Sequence, residues 1–402
     1  MKKFGKIALS VIASAAIILS CGCVPLDEYS SVPSNDSIIT STSTQSSENS
    51  IGGDTSGSTS SDSTSSDASN FDTSSSSSSS SQNTSEPDNK PSTGDGIVAT
   101  HGQLSVKGTN IVDKNGNPYQ LRGMSTHGLT WFPDFVNENS FRTLRDDWNT
   151  NVVRMAMYVD EWGNGMCYMG NKQGSRDMLE KGVNLCIELD MYAIIDWHVL
   201  NPGDPSKYTN EAAEFFSAVS KKYAGFPNII YEICNEPNSG ADWDNNIKPY
   251  AEKIIPIIRE NDPDAIIIVG TPTWSQEVDK ALANPLKFDN VMYAVHFYAD
   301  THRDDLRNRV KICVNGGLPI FVSEFGMCDA SGGGGNNFVE AEKWLSMLDE
   351  LNISYCNWAL ADKQETCCVI NPGAGAGGNW SEGQLTESGK WIRNWFKKHT
   401  NN

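Results

Sequence analysis

From residue 104 onward, short apolar segments alternate with longer amphipathic segments. The short segments are rich in β-branched residues, as in buried strands, whereas the longer ones repeat apolar residues with helical spacing. Eight strands are predicted, over residues 119–124, 152–157, 192–196, 229–233, 265–269, 291–296, 320–323 and 353–358. Six helices are predicted, over residues 175–189, 210–223, 247–260, 303–314, 338–351 and 388–398. Ahead of them, residues 104–107 and 110–112 lie beside turn-forming sequence and predict a short β-hairpin.

This repeat predicts an α/β fold, a (β/α)8 TIM barrel preceded by the N-terminal β-hairpin. Barrels of this kind typically take about 250 residues, which the chain supplies. The competing architecture is an open doubly wound sheet, which places a glycine-rich phosphate loop after its first strand. Residues 124–131 instead read MSTHGLTW, and the chain contains neither a GxGxxG motif nor a P-loop. We therefore expect the barrel.

The N-terminal residues have the pattern of an export signal. Residues 1–6 include three lysines and residues 7–19 are apolar, which predicts a secretory signal peptide over residues 1–23. Ser20 and Cys21 resemble the cleavage site of a bacterial lipoprotein, so we predict a lipid on Cys21; an ordinary cleaved signal is the alternative. Either form places the protein outside the cell, secreted or tethered to the bacterial surface. Membrane contact would then occur only through the lipid.

Residues 24–96 are mostly Ser, Thr, Asp, Asn and Gly, with eight consecutive serines at 74–81. Such a segment buries too little apolar surface to offset its chain entropy, so it predicts a disordered, Ser/Thr-rich acidic linker. The folded domain is then expected over residues 97–402.

The net charge and the spacing of the cysteines argue against nucleic-acid and metal partners. The formal net charge is −19, so we expect no nucleic-acid partner, because there is no basic face to neutralise phosphates. The cysteines beyond the export region lack CxxC spacing, so neither zinc nor another metal or cofactor is predicted. We expect buried thiols with few or no disulfides, and a monomer.

Polar and aromatic residues follow the predicted strands at their C-terminal ends, where TIM barrels carry their active sites. Glu236 follows the fourth strand and Glu324 the seventh. Two carboxylates facing each other across the barrel mouth are the minimum apparatus for glycoside hydrolysis, one as general acid and one as nucleophile. The other residues at these ends are His127, Trp131, Arg154, Tyr158, Asp196, Trp197, His198, Asn235, Thr271, Thr273, Trp274, His296, Tyr298, Trp358, Lys363 and Glu365.

Several of these residues have a physical reason to lie beside the carboxylates. Arg154 is expected to keep the nucleophile ionised, and Tyr298 to donate a hydrogen bond to Glu324. Asn235 is expected to bind a sugar hydroxyl, and tryptophans offer flat apolar faces to pyranose rings. The competing interpretation is structural: the tryptophans would belong to the core or rim, Asp196 would be a buried hydrogen-bond partner of the backbone or of an arginine, and Glu232 would be a barrel carboxylate without a catalytic role.

The motifs resemble glycoside hydrolase family 5, within the retaining clan whose acid lies on strand four and nucleophile on strand seven. The resemblance covers residues 101–399. Within the family, the chain is similar to the bacterial endo-β-1,4-glucanase subgroup. It rests on segments that occur in order: GTNIV (108–112), LRGMSTHG (121–128), NVVRM (151–155), DWH (196–198), YEICNEPN (231–238), GTPTW (270–274), VHFY (295–298), SEFG (323–326) and NWALADKQE (357–365).

The resemblance implies that Glu236 is the acid/base and Glu324 the nucleophile. It implies a supporting set: Arg154, His127, His198, Asn235, His296 and Tyr298. It also implies a substrate-binding set: Trp131, Tyr158, Trp274, Trp358, Lys363 and Glu365. In one departure, Ala359 and Ala361 stand where many members have serine.

The function implied by the resemblance is endo-acting, retaining hydrolysis of β-1,4-glucosidic bonds in cellulose or a related β-glucan. No metal or cofactor is needed for it. Alternatives are a hydrolase of the same fold acting on mannan, xyloglucan or mixed-linkage glucan, and a surface-tethered, non-catalytic glycan-binding barrel. A metal-dependent barrel hydrolase would need a His-x-His pair on the first strand, where His127 stands alone.

Overall fold

The computed structural model describes residues 96–399. The predicted signal peptide (1–23), the lipidation of Cys21 and the linker up to residue 95 lie outside the described residues. No helix within 96–399 has both the length and the apolar character needed to cross a bilayer.

The strands confirm the predicted hairpin and barrel. β1 (Ser105–Lys107) and β2 (Asn110–Val112) pair antiparallel. Eight parallel strands close into a barrel in the order β10-β3-β4-β5-β6-β7-β8-β9. These are β3 (Arg122–Thr126), β4 (Val152–Tyr158), β5 (Tyr192–His198), β6 (Ile229–Glu232), β7 (Ile266–Val269), β8 (Val291–Tyr298), β9 (Ile320–Gly326) and β10 (Tyr355–Leu360).

Helices surround the barrel, and six of them match the sequence prediction to within three residues at each end. These are α3 (Lys172–Glu188), α4 (Thr209–Lys222), α5 (Lys248–Arg259), α8 (Asp304–Asn315), α9 (Phe338–Glu350) and α10 (Glu387–Lys398). The structure adds four that were not predicted: α1 (Ile97–His101), α2 (Glu138–Asp146), the single turn α6 (Pro272–Ser275) and α7 (Val278–Ala283). Short 3-10 turns occupy Pro133–Phe135, Pro205–Tyr208 and Glu382–Gln384, and Trp243–Ile247 forms a π turn.

The two-residue period of the strands separates two cores. On β5, Ile194 lies in the cluster inside the barrel, whereas Ile195 lies in the larger cluster between the barrel and its helices. Two residues further along the same inward row are Asp196 and then His198, both buried. Since alternate residues of a strand face the same side, one row supplies apolar packing at its start and polar groups at its C-terminal end.

The hairpin and helix α1 cover the N-terminal end of the barrel. Leu104 and Ile111 belong to the same buried cluster as Ile230 and Phe321 from the barrel interior. This end is therefore filled by apolar side chains, and the polar residues lie at the opposite end.

A β-bulge in β9 changes which residues face inward. Ala294 pairs with Phe321 and His296 with Glu324, so the one residue between them on β8 lies opposite two residues of β9. The pairing with β10 shows the same extra residue. A bulge of this kind redirects the side chains that follow it. Here it allows both Ser323 and Glu324 to point into the barrel.

Helix α9 offers a matched test of the packing between helix and barrel. Leu345 is fully buried, whereas Val339 on the same helix is 67% exposed. Leu345→Ala should lower the free energy of unfolding by about 2–5 kcal/mol through lost burial and the cavity left behind. Val339→Ala should change it by no more than about 0.5 kcal/mol. Denaturant unfolding followed by tryptophan fluorescence measures both, and equal effects would contradict this packing.

Candidate active site

A cleft of about 950 Å³ opens at the C-terminal ends of the barrel strands. Twelve of the fourteen residues assigned to the site from the sequence line it: His127, Trp131, Tyr158, His198, Glu236, Trp274, His296, Tyr298, Glu324, Trp358, Lys363 and Glu365. The other two, Arg154 and Asn235, lie fully buried and contact the lining residues from beneath. The structure therefore brings the entire predicted set together.

Glu236 and Glu324 face each other in this cleft. Each is almost buried, with 9% and 4% of its surface exposed. One carboxylate oxygen of Glu236, one of Glu324 and one ring nitrogen of His296 all lie within 4.8 Å of one another. The two acids differ in their partners: Glu236 Oε1 is 2.9 Å from His296 Nδ1, whereas Glu324 accepts hydrogen bonds from Tyr298 and Arg154.

Arg154 holds the carboxylates of the cleft floor. Its Nη1 donates to Glu324 Oε2 at 3.1 Å and its Nε donates to Glu232 Oε2 at 2.6 Å. Its Nη2 lies 2.9 Å from Asp196 Oδ2 and donates to Asn235 Oδ1 at 2.6 Å. The charge-assisted hydrogen bond from the guanidinium fixes the orientation of the Glu324 carboxyl group. The sequence prediction of an arginine partner for Asp196 agrees with this geometry.

Asn235 and His198 form the next part of the network. The Asn235 amide donates through Nδ2 to His198 Nε2 at 3.2 Å, so Nε2 is an acceptor. The ring proton is then on Nδ1, which donates to Asp196 Oδ2 at 2.6 Å. Burial, together with the nearby charge of Arg154, holds the pKa of His198 well below its usual value, consistent with this neutral form. Asn235 thus contacts Arg154 and His198, and the sugar contact expected from the sequence stays a prediction.

The hydrogen bonds around His296 define the position of one proton. Ser323 Oγ donates to Glu232 Oε1 at 2.6 Å, so it can only accept from His296 Nε2, which lies 2.9 Å away. His296 therefore carries a proton on Nε2, and a second proton is shared between its Nδ1 and Glu236 Oε1. The pair of His296 and Glu236 holds a proton that can be transferred at the cleft surface.

The charges of this network agree with that assignment. Burial alone would lower the pKa of His296, but the nearby carboxylates of Glu232 and Glu236 outweigh it and raise the pKa to about 9. Burial alone would raise the pKa of Glu232, but the charge and hydrogen bond of Arg154, together with the nearby His296, lower it to about 2. Glu232 is thus a permanent anion beneath the cleft, in line with the structural role considered for it.

Two glycines in the motifs allow aromatic rings to approach the backbone. A Cβ on Gly326 would lie 2.6 Å from the Tyr298 ring, and one on Gly128 would lie 2.4 Å from the Trp131 ring. Contacts this short would displace the rings. Gly326 therefore permits the position from which Tyr298 donates to Glu324 at 2.8 Å. Burial and the nearby acids raise the pKa of Tyr298 well above its usual value, so it keeps its proton.

Aromatic side chains form one wall of the cleft. The rings of Trp131 and Tyr158 lie 4.4 Å apart, and Trp358 stacks on His198 at 5.5 Å. Trp274 lies on a turn in which Thr273, Trp274 and Ser275 all have left-handed backbone angles, and its side chain is half exposed. That turn is held by Ser275, whose Oγ donates to the Asn235 carbonyl at 2.7 Å.

Lys363 and Glu365 form an ion pair at the end of the cleft beside His127. His127 Nδ1 accepts the Gly128 N–H at 2.7 Å, so its neutral ring is protonated on Nε2, which lies 3.8 Å from Glu365 Oε2. The nearby His127 ring lowers the pKa of Glu365, outweighing burial, and Lys363 lowers it further, to about 2. This end of the cleft therefore presents a fixed carboxylate and a half-exposed ammonium.

The cleft also contains residues to which the sequence assigned no role. These are Phe132, Glu161, Leu200, Asn201, Gln276, His302, Ala330, Ser331, Gly332 and Cys367. Most lie on loops beyond the strand ends, where no period relates sequence to direction. His302 is four residues from Tyr298 and accepts its backbone N–H at 2.9 Å. This spacing is the signal in the sequence that could have indicated His302, because a turn after the strand brings residues four apart close together.

Comparison with known proteins agrees with this site. Residues 112–364 match the model of the family described as "Cellulase (glycosyl hydrolase family 5)". The chain belongs to glycosyl hydrolase family 5. This family 5 chain is 47% identical over 292 residues to an endoglucanase of Clostridium saccharobutylicum, covering 73% of this chain and 64% of that protein. It is 45% identical over 304 residues to endoglucanase 5 of Pectobacterium carotovorum, covering 76% of this chain and 59% of that protein.

The chain thus spans less than two thirds of the length of those two endoglucanases. Among solved structures, the fold is similar to the catalytic domain of Thermobifida fusca endoglucanase Cel5A in complex with cellotetraose. The TM-score is 0.71 at 38% identity, covering 75% of this chain and 99% of that one. A structure from Cytophaga hutchinsonii gives a TM-score of 0.72 at 42% identity, covering 75% and 97%.

The proton assignment can be tested by nuclear magnetic resonance of the imidazoles. Of the six histidines, His296 should be doubly protonated at neutral pH and lose a proton with a midpoint of about 9. His198 should stay neutral throughout. The high-pH transition should disappear in His296→Gln and persist in the control His399→Gln. A His296 midpoint near the unperturbed value of about 6.5 would contradict the network.

Proposed function

We propose that the chain is an endo-acting, retaining β-1,4-glucanase that hydrolyses internal bonds of cellulose or a related β-glucan. The observation that carries this proposal is the approach of the Glu236 and Glu324 carboxylates to within 4.8 Å in the cleft. Retaining glycosidases keep these groups about 5–5.5 Å apart, whereas inverting enzymes leave about 6.5–9.5 Å for a water. The family and its endoglucanase relatives support the choice of a β-1,4-glucan.

In the first step, Glu324 attacks the anomeric carbon. Its two oxygens accept from Tyr298 and Arg154, so it is held as an oriented carboxylate. Glu236 transfers the proton it shares with His296 to the leaving glycosidic oxygen. A covalent bond forms between the sugar and Glu324, and the chain on the other side of the bond leaves.

In the second step, Glu236 acts as a base. It takes a proton from a water, which attacks the anomeric carbon and breaks the ester bond to Glu324. The two inversions give net retention, and both acids return to their first states. Every step uses side chains of the cleft and water.

The cleft wall supports the binding of a glucan chain. Trp131, Trp274 and Trp358 offer apolar faces to pyranose rings, beside Tyr158. Lys363 and Glu365 provide charged partners for hydroxyl groups at one end.

Substitution of the two acids tests the mechanism. Glu236→Gln should lower kcat on carboxymethylcellulose by about 10²–10⁴-fold, since the acid is lost. Glu324→Gln should abolish turnover, because an amide is not a nucleophile. Glu161→Gln, a carboxylate of the same cleft outside the pair, is the matched control and should retain kcat within about tenfold. Viscosity and reducing ends are measured together, and an early fall in viscosity shows endo action.

The substrate panel separates this proposal from its alternatives. Carboxymethylcellulose, mannan, xyloglucan and lichenan are offered in parallel. Hydrolysis of mannan or xyloglucan alone would keep the mechanism and refute the glucan assignment. Binding of a glycan without cleavage would indicate a non-catalytic barrel, and loss of activity with a chelator would indicate a metal-dependent hydrolase.

We also propose that the protein is exported and tethered to the bacterial surface by a lipid on Cys21, and that it acts as a monomer. The signal-like residues 1–23 support export, and the serine-rich residues 24–96 would give the domain reach. The described residues supply both acids and all predicted cleft residues from one chain, which supports the monomer.

Cell fractionation of the full chain tests the tether. Wild type should partition with the membrane, whereas Cys21→Ser should appear in the medium because one thioether-linked lipid anchor is lost. Cys23→Ser, two residues away, is the matched control and should remain with the membrane. Release of all three proteins into the medium would show an ordinary cleaved signal.

A further inference from the structure

Three thiols and one carboxylate meet at the edge of the cleft. Cys328 follows β9, whereas Glu365, Cys367 and Cys368 follow β10. One ligand atom each of Glu365, Cys367 and Cys368 lies within 4.8 Å of the others. Cys367 Sγ is 3.8 Å from Glu365 Oε2, and Cys328 belongs to the same buried cluster as Cys367 and Cys368. The proposed hydrolysis uses none of these sulfurs.

We propose that Cys367, Cys368 and Glu365, with Cys328 as the adjacent fourth donor, form a binding site for a soft divalent cation of the Zn²⁺ or Cd²⁺ class. Two sulfurs and an oxygen match the donors that such cations take in tetrahedral sites. With Zn–S near 2.3 Å and Zn–O near 2.0–2.2 Å, donors of one tetrahedral ion lie about 3.3–3.8 Å apart. The separation of Cys367 Sγ and Glu365 Oε2 is 3.8 Å, and all three donors lie within 4.8 Å, so they would have to approach by no more than about 1.5 Å.

The surroundings allow a cation to enter. All three thiols are free and buried, while Cys367 also lines the cleft, which gives a path from solvent. Glu365 uses Oε1 for Lys363, and its Oε2 faces both His127 and Cys367. On binding, Cys367 and Cys368 lose their thiol protons to solvent and Glu365 turns Oε2 from His127 to the ion. Two thiolates then balance the two positive charges.

A second group of possible donors, Glu236, His296 and Glu324, is less suited to a cation. Both nitrogens of His296 are occupied, by Glu236 and Ser323. A metal there would have to displace the protons of this network. The thiol group also releases two protons, but the hydrogen bond that a thiol donates there is a weak one, from Cys367 Sγ to Glu365 Oε2 at 3.8 Å.

Disulfide formation is the competing chemistry of the thiol group. A bond between Cys367 and Cys328 would use two sulfurs and leave Cys368 and Glu365 unused. The position of a carboxylate oxygen within 4.8 Å of both Cys367 and Cys368 favours a cation, since that oxygen has no part in a disulfide.

Occupation of the site would inhibit hydrolysis, and this consequence rests on the proposed function. Glu365 pairs with Lys363 and faces His127 at the sugar-binding end of the cleft. Moving Oε2 toward the sulfurs removes its contact with His127 and shifts the carboxylate that pairs with Lys363. Substrate binding should weaken, so the inhibition should appear mainly as a higher KM.

Cadmium binding is measured first, without substrate. The full chain carrying Cys21→Ser and Cys23→Ser, treated with a phosphine reductant, is titrated with Cd²⁺. The expected result is one equivalent bound, with thiolate-to-cadmium charge-transfer absorption that EDTA removes. Adding Cys367→Ser and Cys368→Ser should lower the affinity by at least about 100-fold, since even an outer partner of a metal site contributes about 10–100-fold. Cys313→Ser, a free buried thiol on α8, is the matched control and should bind as before.

Inhibition is measured next, each variant against its own metal-free rate on carboxymethylcellulose. Cd²⁺ should raise KM in the parent and in Cys313→Ser, and leave the Cys367→Ser/Cys368→Ser variant unaffected. Equal inhibition of that variant would place the cation at Glu236, His296 and Glu324 and overturn the proposal. Absence of cadmium absorption with a loss of two free thiols before reduction would indicate a disulfide and overturn it also. Absence of hydrolysis in every sample would refute the proposed function alone, because the absorption is measured independently.

Discussion

The cleft depends on one buried guanidinium. Arg154 is fully buried, and a charge in that position costs several kcal/mol unless it is paired and hydrogen-bonded on all sides. Acids from three other strands meet this need: Asp196 on β5, Glu232 on β6 and Glu324 on β9. The planar fork of an arginine can serve three carboxylates in different directions, which the single ammonium of a lysine cannot. The relative position of the strand ends is therefore set by the same contacts that orient the carboxyl group of Glu324.

The barrel delivers these side chains by a simple alternation with one local exception. On β4 and β5 the inward row continues from apolar residues to polar ones without a break in period. On β9, strict alternation from the inward-facing Phe321 would direct Glu324 outward. The extra residue of the bulge shifts the alternation by one, so that Glu324 faces inward. The extra residue, Ser323, also accepts from His296 and donates to Glu232. One insertion thus aims the proposed nucleophile and joins it to the acid through hydrogen bonds.

This explains which parts of the site could be predicted from the sequence. Glu236, His198 and Tyr298 lie at strand ends, where an apolar run marks the strand and its last polar residue marks the mouth. No sequence pattern indicates the bulge. The direction of a loop side chain has no sequence pattern either, so Cys367 and His302 received no role. Helix α2 was not predicted because Phe141 and Leu144 are its only large apolar residues, too few to show a helical period. The hydrogen bonds of Asn235 with Arg154 and His198 could not be predicted either, because an amide next to an acid can bind a sugar as well as an arginine.

The hydrogen-bonded path from Glu236 through His296, Ser323, Glu232 and Arg154 to Glu324 has an electrical consequence. When Glu324 becomes an ester, a negative charge disappears within 4.8 Å of Glu236, while Arg154 keeps its positive charge. The repulsion against an anionic Glu236 falls at the moment when that anion is required to activate water. When the ester is hydrolysed, the charge returns and again favours a proton on the pair. In the proposed reaction, the covalent state of Glu324 would thus control when Glu236 is protonated, and only protons would have to move within the network.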